Sequence, residues 1–444
     1  MKKTILMLTL AVAAASPASA QGWTLQQCLE HAAQHNIQVQ KNRIAEEESK
    51  QSLLQAQAAL FPSLSFSMSQ SLGYRPFQEA TVMVQNGMAT TTNNKVTESG
   101  SYGINANWNV WDGGINRKTI DAQRVQKDMA EMQTAQSLNS IQEQIAQLYV
   151  QILYTIEAKK VNERLCETAQ SQYNRGLERL KVGDIAKADV AQLESQLASA
   201  KYDVVNSQTQ IDGYKRQLKS LLQLDINTPF DVAENELADE RAMAPIPAKD
   251  EVYKQAVAHR PEIRSAQLAM EAADIQSDIA RRGYYPSIGV NAGFGDSHYS
   301  ASNDSYGEQL KRNLSGSLGL SVSVPIFDNR RNKTNVEKAK LQKVNAALEL
   351  DNQLTTLGSN IENYWLQATS AQQRFIAAQT TVKSQQTSYE LVNEQFKEGL
   401  KNIVDLLQAR DNMLNAQQNM LQSKYTTILN TQMLRFYADG TMGL

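Results

Sequence analysis

Cysteine is almost missing from this chain: Cys28 and Cys166 are the only two in 444 residues. Two thiols in different helical segments exclude a disulfide framework, and both are expected to be free. Proline is scarce as well, with nine residues. Pro62, Pro286 and Pro325 stand at strand ends, Pro229, Pro245 and Pro247 fall in one irregular stretch, and none breaks a long helical pattern. The histidines are His31, His35, His259 and His298, and none has an acid or cysteine cluster at ligand spacing. His31 and His35 lie four apart on one helix, where most such pairs are surface residues rather than a metal site. No G-x-S-x-G, P-loop or paired zinc motif occurs, so neither enzymatic chemistry nor a cofactor is indicated. An excess of one charge is also lacking: the net charge is −2, which gives no electrostatic case for nucleic acid. A mean hydropathy of −0.46 rules out a bundle of transmembrane helices but not a β-barrel.

What the chain does have begins with a leader. Lys2 and Lys3 precede an apolar run from Ile5 to Ala15, and Ala18-Ser19-Ala20 forms a small-x-small cleavage site. Residues 1–20 are expected to be a secretory signal peptide, with a mature chain starting at Gln21. No cysteine follows the cut, so a lipid-modified N-terminus is not expected there.

Four stretches alternate apolar residues with small polar ones. Tyr102, Ile104, Ala106, Trp108 and Val110 alternate with Gly103, Asn105, Asn107 and Asn109. Leu64, Phe66, Met68 and Leu72 alternate with serines, as do Leu318, Leu320, Val322 and Val324 with Gly319 and serines. Ile288, Val290, Ala292 and Phe294 alternate with Ser287, Gly289, Asn291 and Gly293. Successive strand residues face opposite ways, so each stretch has one greasy face and one small polar face without charge. That is how a strand between lipid and a watery lumen reads, and each run is near the length that a tilted membrane strand needs. The competing reading is four half-buried strands of a soluble sandwich, but no further strands are evident to build a second sheet. The strands are expected at about 63–74, 101–111, 286–295 and 314–325. Tyr74, Trp108 and Trp111 fit interfacial aromatic girdles or plain packing between strands. The polar segments Gly73–Gly100 and about 296–311 are loops, expected together on one face. Four strands cannot close a membrane barrel, and an open edge in lipid costs several kcal/mol per unpaired group. Copies of the chain must share the sheet; two would give eight strands and three twelve, and periodicity does not choose.

The rest is helix. Residues 24–60 read as one helix opened by Thr24 and Gln27 at capping-box spacing. From Asn116 to Leu180 the apolar positions Leu138, Ile141, Ile145, Leu148 and Ile152 step by three and four, a heptad seam. From Asn332 to Glu398 the matching seam is Leu354, Leu357, Ile361, Tyr364 and Ala368. A continuous helix of about 65 residues reaches roughly 95 Å, far more than a globular core requires. Each long helix meets a break, Leu180–Asp184 or Phe396–Leu400, and return helices follow over about 186–224 and 402–437. Leu354 lies 216 positions after Leu138, and Gly399 after Gly183, Asp405 after Asp189 and Asp328 after Asp112 keep the same offset. The chain reads as a tandem duplication. The first half covers 21–228, an acidic linker 229–248, and the second half 249–444.

Two helical entries (WTLQQCLEHAAQHN and KDEVYKQAVAHRPEI), strands ending in NVWDGG and VPIFDNR, and the tips KVGDIAKADVAQLESQLASAKYD and KEGLKNIVDLLQARDNMLNAQQN resemble the TolC-type outer-membrane efflux proteins. The likeness covers essentially the whole mature chain. The resemblance implies a mixed, mainly α fold: duplicated coiled-coil hairpins plus four transmembrane strands per chain. As a homotrimer these would form a shared 12-stranded barrel in the outer membrane and an α-helical tunnel in the periplasm. Its partners would be outer-membrane lipid, a periplasmic adaptor and an inner-membrane pump of RND, ABC or MFS type. The duct would be passive and gated at its periplasmic end. The alternative, from another class, is a periplasmic coiled-coil tether that conducts nothing; it would need the long helices but not the uncharged strands.

The resemblance also assigns residues. Asp405 matches an acid of the family's constriction, with Lys401 one turn before it and Phe396 near the tip. Lys401 and Asp405 share a helix face and would pair, and a ring of symmetry-related Asp405 carboxylates would favour cations. Asp189 is its counterpart in the first half. Gln408 stands where the family places a second aspartate, and Phe396 lacks a tyrosine hydroxyl. The tips Leu180, Val182, Gly183 and Asp184, and Gly399 and Leu400, resemble the turns that meet the adaptor's helical hairpin. Physically, a glycine-interrupted turn exposes backbone and the apolar Val182 and Leu400 for another coil to cover, although a plain helix–turn–helix link reads the same way.

Overall fold

The computed structural model describes residues 22–443 apart from 78, 80, 86, 87, 93, 94, 235, 236, 238 and 301–303. The expected signal peptide lies outside the described residues. In chain order the elements are α1 (Leu25–His35), α2 (Ile37–Ala58), β1 (Ser63–Tyr74), β2 (Thr81–Gln85), β3 (Met88–Thr92), β4 (Val96–Trp111), α3 (Ile115–Lys181) and α4 (Lys187–Leu221). There follow α5 (Asp239–Met243), α6 (Lys249–His259), α7 (Pro261–Arg282), β5 (Ser287–Tyr299), α8 (Tyr306–Arg312), β6 (Ser315–Ser323), α9 (Arg331–Lys397) and α10 (Ile403–Asp439). The described residues divide into two compact units, one of 22–43, 133–264 and 352–443, the other of Ile44–Met132 and Ser265–Asp351.

The first unit is helical. Its interior takes the seam residues Ile141, Ile145, Ile152, Leu357, Ile361 and Ala368, all buried. Leu138, Leu148, Leu354 and Tyr364 are half-buried. Each fully buried aliphatic side chain contributes about 1.5–3 kcal/mol, so the heptad spacing is what holds these helices together. The expected single helix over 24–60 is two. Asn36 breaks it in an extended conformation, with φ −64° and ψ 126°. Its Oδ1 accepts from the backbone N–H groups of Gln38 and Val39, and its Nδ2 donates to the Leu221 carbonyl at 2.9 Å. An asparagine that caps a new helix offers the backbone a partner other than the continuing ladder. The Thr24–Gln27 capping box is present.

The second unit holds a four-stranded antiparallel sheet in the order β1-β4-β5-β6. Register carries the alternation across all four strands. Leu64 lies opposite Ala106, Ala106 opposite Ala292 and Ala292 opposite Leu318. One residue along, Ser63, Asn107, Asn291 and Gly319 form the matching polar row. β1 matches its expected span, whereas β4 begins at Val96 and β5 continues to Tyr299, beyond the apolar alternation. There the polar side chains pair across strands: Gln70 with Glu98, and the Glu98 N–H with the Ser300 hydroxyl at 2.7 Å. β6 is shorter than expected at both ends. The two polar loops carry structure of their own, the β2–β3 hairpin and α8, the latter opened by a Ser305–Glu308 capping box.

Each half turns from sheet to long helix by the same device. Asp112 Oδ2 accepts from the Asn116 N–H at 2.9 Å, and Asp328 Oδ2 from the Asn332 N–H at 2.7 Å. Two left-handed residues follow each aspartate: Gly113 and Gly114 in the first half, Asn329 and Arg330 in the second. Glycine adopts that conformation without a Cβ clash, so DGG is the relaxed version of the turn and DNR the strained one.

Candidate functional site

The sheet and the hairpin ends are the two places where the chain leaves chemistry open. On the sheet, leucines stand far out of the protein: Leu64 is 75 % exposed, Leu318 80 % and Leu320 71 %. With Phe66, Met68, Ile104, Phe294 and Val322 they form one continuous apolar face, while the opposite face is Ser, Gly and Asn. A soluble protein rarely exposes so contiguous an apolar patch, and lipid is the solvent that suits it. Among the described residues β1 and β6 are the free edges. A bulge between Asn109 and Trp111 brings Trp111 opposite Ile288, onto the apolar side with Trp108. Trp108 Nε1 donates to the Leu60 carbonyl at 2.9 Å. Phe61, Tyr284, Tyr285 and Phe327 are exposed in the flanking segments at the strand ends nearest α3 and α9, and Tyr74 lies at the opposite end. These four aromatics escaped the sequence reading because they lie outside the alternating runs. No helix among the described residues is long and apolar enough to cross a membrane.

The hairpin ends are built from two matching turns. At the first, Gly183 N–H donates to the Leu180 carbonyl at 3.1 Å and Asp184 N–H to the Arg179 carbonyl at 2.9 Å. At the second, Gly399 N–H donates to the Phe396 carbonyl at 3.1 Å and Leu400 N–H to the Gln395 carbonyl at 2.8 Å. Each pair of bonds is a Schellman motif, closed by a glycine at φ +79° or +74°. The motif leaves the next residues outside the helix. Val182 is 79 % exposed and Leu400 76 %, Gly183, Asp184 and Gly399 are exposed, and Leu180 is half-buried.

Asn402 caps α10, its Oδ1 accepting from the Asp405 N–H at 2.9 Å. Asp405 therefore sits in the first turn, where the helix dipole favours an anion. Lys401 Nζ lies 3.4 Å from Asp405 Oδ2, with both side chains about two-fifths exposed. An exposed pair of this kind contributes roughly 0.2–1 kcal/mol. Gln408 is exposed and donates to Asn412 Oδ1 at 3.0 Å. Asp189 occupies the matching first turn of α4, half-buried, but its N-cap is Ala186, which provides no side-chain bond. Phe396 packs against a core of Leu165, Tyr389, Leu406 and Met413. The structure thus brings Lys401 and Asp405 together beside the second turn, and leaves the apolar Val182 and Leu400 exposed at the tips.

Charged residues that periodicity could not single out line the same unit. Arg179 reaches from the first turn to Asp184 and Phe396. Arg260 is buried between α6 and α7, 3.4 Å from Glu143 and 3.8 Å from Glu262, with its guanidinium 3.5 Å from the Tyr437 ring centre. Burial pushes the Glu143 carboxyl above its ordinary range, against the pull of Arg260, and pushes the Tyr437 and Tyr364 phenols up as well. Lys424, also buried, meets Asp239 at 3.0 Å and Glu157 at 3.9 Å, and Tyr425 donates to Glu157 at 2.6 Å. Both cysteines are free; burial pushes the Cys28 thiol up to about 12. No group of His, Cys, Asp and Glu residues that could hold a metal ion occurs among the described residues.

The architecture has known counterparts. The solved structure of CusC covers 94 % of this chain and 92 % of its own, with a TM-score of 0.78 at 18 % identity. That of VceC from Vibrio cholerae covers 94 % and 96 %, with a TM-score of 0.75 at 17 % identity. By sequence, the outer membrane protein TolC of Salmonella enteritidis is 23 % identical over 302 residues, which are 67 % of this chain and 60 % of that protein. The aligned region therefore spans less than two thirds of that relative. A model of the outer membrane efflux protein family matches residues 28–223 and 252–438, one block in each half. With most of its length matched in two blocks, the chain belongs to the outer membrane efflux protein family.

Proposed function

We propose that the protein is the outer-membrane exit duct of a tripartite efflux or secretion system. The observation that carries the reading is the open sheet: four strands whose alternating stretches carry no charge, with one lipid-compatible face and two free edges, in a chain that also carries two long hairpins. A tether between envelope layers needs the hairpins but has no use for such a sheet. Unpaired edges in lipid are too costly to persist, so copies of the chain close the barrel on one another. Three copies give twelve strands, the assembly that the family resemblance implies. The small polar face then lines an aqueous lumen.

The hairpin ends form the gate. A ring of three Asp405 carboxylates narrows the passage and favours cations, and Lys401 restrains each one. A pair worth only tenths of a kcal/mol suits a latch that a partner releases. The exposed Val182 and Leu400 at the two turns offer apolar contact to the helical hairpin of a periplasmic adaptor, which joins the duct to an inner-membrane pump. The protein itself is passive, and the pump sets the cargo.

Asp405→Ala tests the gate. In single-channel recordings from planar bilayers it is expected to raise conductance several-fold and to lower cation preference. Conductance and selectivity equal to the unmodified protein would remove Asp405 from the constriction.

A further inference from the structure

Arg179 belongs to both hairpin turns at once. Its own carbonyl accepts the Asp184 N–H that closes the first turn, and its Nε donates to Asp184 Oδ2 at 2.6 Å. Its Nη1 donates at 3.3 Å to the Phe396 carbonyl, the same oxygen that accepts the Gly399 N–H closing the second turn. The guanidinium also lies 5.8 Å from the centre of the Phe396 ring. One planar, multiply donating group thus holds a carboxylate of one turn and the closing carbonyl of the other. The arrangement exists once only: 216 positions on, Arg179 and Asp184 become Gln395 and Leu400. The second turn has no arginine–aspartate pair of its own at those positions, and Phe396 has no hydroxyl to hold it.

We infer that Arg179 is the positioning residue that couples the two hairpin ends within each chain, so that loosening one turn loosens the other. Asp405 and Lys401 start from the second turn, so Arg179 sets the position of the gate without lining it. This rests on the gated-duct reading for its consequence, but the coupling is a property of the chain and is measured without transport.

The test is residue-resolved amide hydrogen exchange on the detergent-solubilised protein, comparing the unmodified chain with Arg179→Ala. Faster exchange at Gly183 and Asp184 would follow from any role for Arg179, because it lies in that turn. The coupling predicts that Gly399 and Leu400 also exchange at least about tenfold faster while the helix around Leu406 keeps its protection. Unchanged exchange at Gly399 and Leu400 overturns it. If Arg179→Ala loosens the whole chain, Arg179→Lys decides. A single ammonium does not reproduce the two-pronged hold, so the same local rise supports the coupling and its absence overturns it. In bilayers, Arg179→Ala is expected to open larger channels than the unmodified protein. An unmodified protein that conducts nothing counts against the duct, and leaves the exchange result to judge the coupling.

Discussion

Asn36 and Arg260 hold the same joint in the two halves of the chain. Each ends a short entry helix in an extended conformation and starts a 22-residue one. Asn36 does this with neutral bonds: two to the N–H groups of α2 and one to the end of α4. Arg260 does it with a buried charge that needs Glu143 from α3, Glu262 from α7 and the Phe436 and Tyr437 rings from α10. The turns at the sheet and at the hairpin ends tell the same story. DGG faces DNR, and an Arg179–Asp184 pair faces Gln395 and Leu400. The backbone devices are shared by both halves, and, apart from the Asp112 and Asp328 caps, the side chains that secure them are not. The neutral bonds of Asn36 reach one other helix, whereas a buried charge commits several helices to one arrangement.

That contrast predicts unequal costs. Arg260→Ala removes one partner of a buried ionic group and strands Glu143, which typically costs about 3–5 kcal/mol. Thermal or denaturant unfolding of the detergent-solubilised protein should show it as the larger of the two joint lesions. Glu143 adds a pH signature. Its carboxyl holds a proton more tightly when folded than unfolded, so the folded state binds more protons above the ordinary glutamate value of 4.5, and stability falls as pH rises through that window. Glu143→Gln should flatten this slope in melting curves taken from pH 4 to pH 7; an unaltered slope would place the titration elsewhere. Asn36→Ala loses a helix cap and the bond to Leu221, at a cost of about 1 kcal/mol and with no pH dependence. If both joints cost the same, the asymmetry between the halves is one of appearance only.

Much of this was legible in the sequence, and the particulars show why. The Ser/Leu alternation from Ser63 to Leu72 fixes β1, because a period of two has one structural meaning when one face is buried in lipid. The heptad seams place α3 and α9 within a residue or two, since glycines and the Asp112 and Asp328 caps bound them. The break at Asn36 is not legible, because a lone asparagine inside a helical pattern carries no periodic signal. The β2–β3 hairpin lies in a Thr- and Asn-rich segment with no apolar alternation to reveal it. The charged residues of the helical unit were illegible for a different reason. Arg260 and Glu143 are 117 positions apart, and Arg179 and Phe396 are 217 apart. Nothing local distinguishes a buried arginine from a solvated one. The family resemblance singles out Asp405 and Lys401, and only their pairing is legible from spacing, because four residues on a helix is a local relation.

Single-channel conductance of the purified protein in a planar lipid bilayer, recorded across cation valence for the unmodified chain and Asp405→Ala, tests the central claim most directly. A gated duct predicts small, cation-preferring openings that grow and lose their preference in Asp405→Ala, and that enlarge when an adaptor is added to the unmodified protein. A folded, membrane-inserted protein that stays silent in every condition, adaptor included, would contradict it.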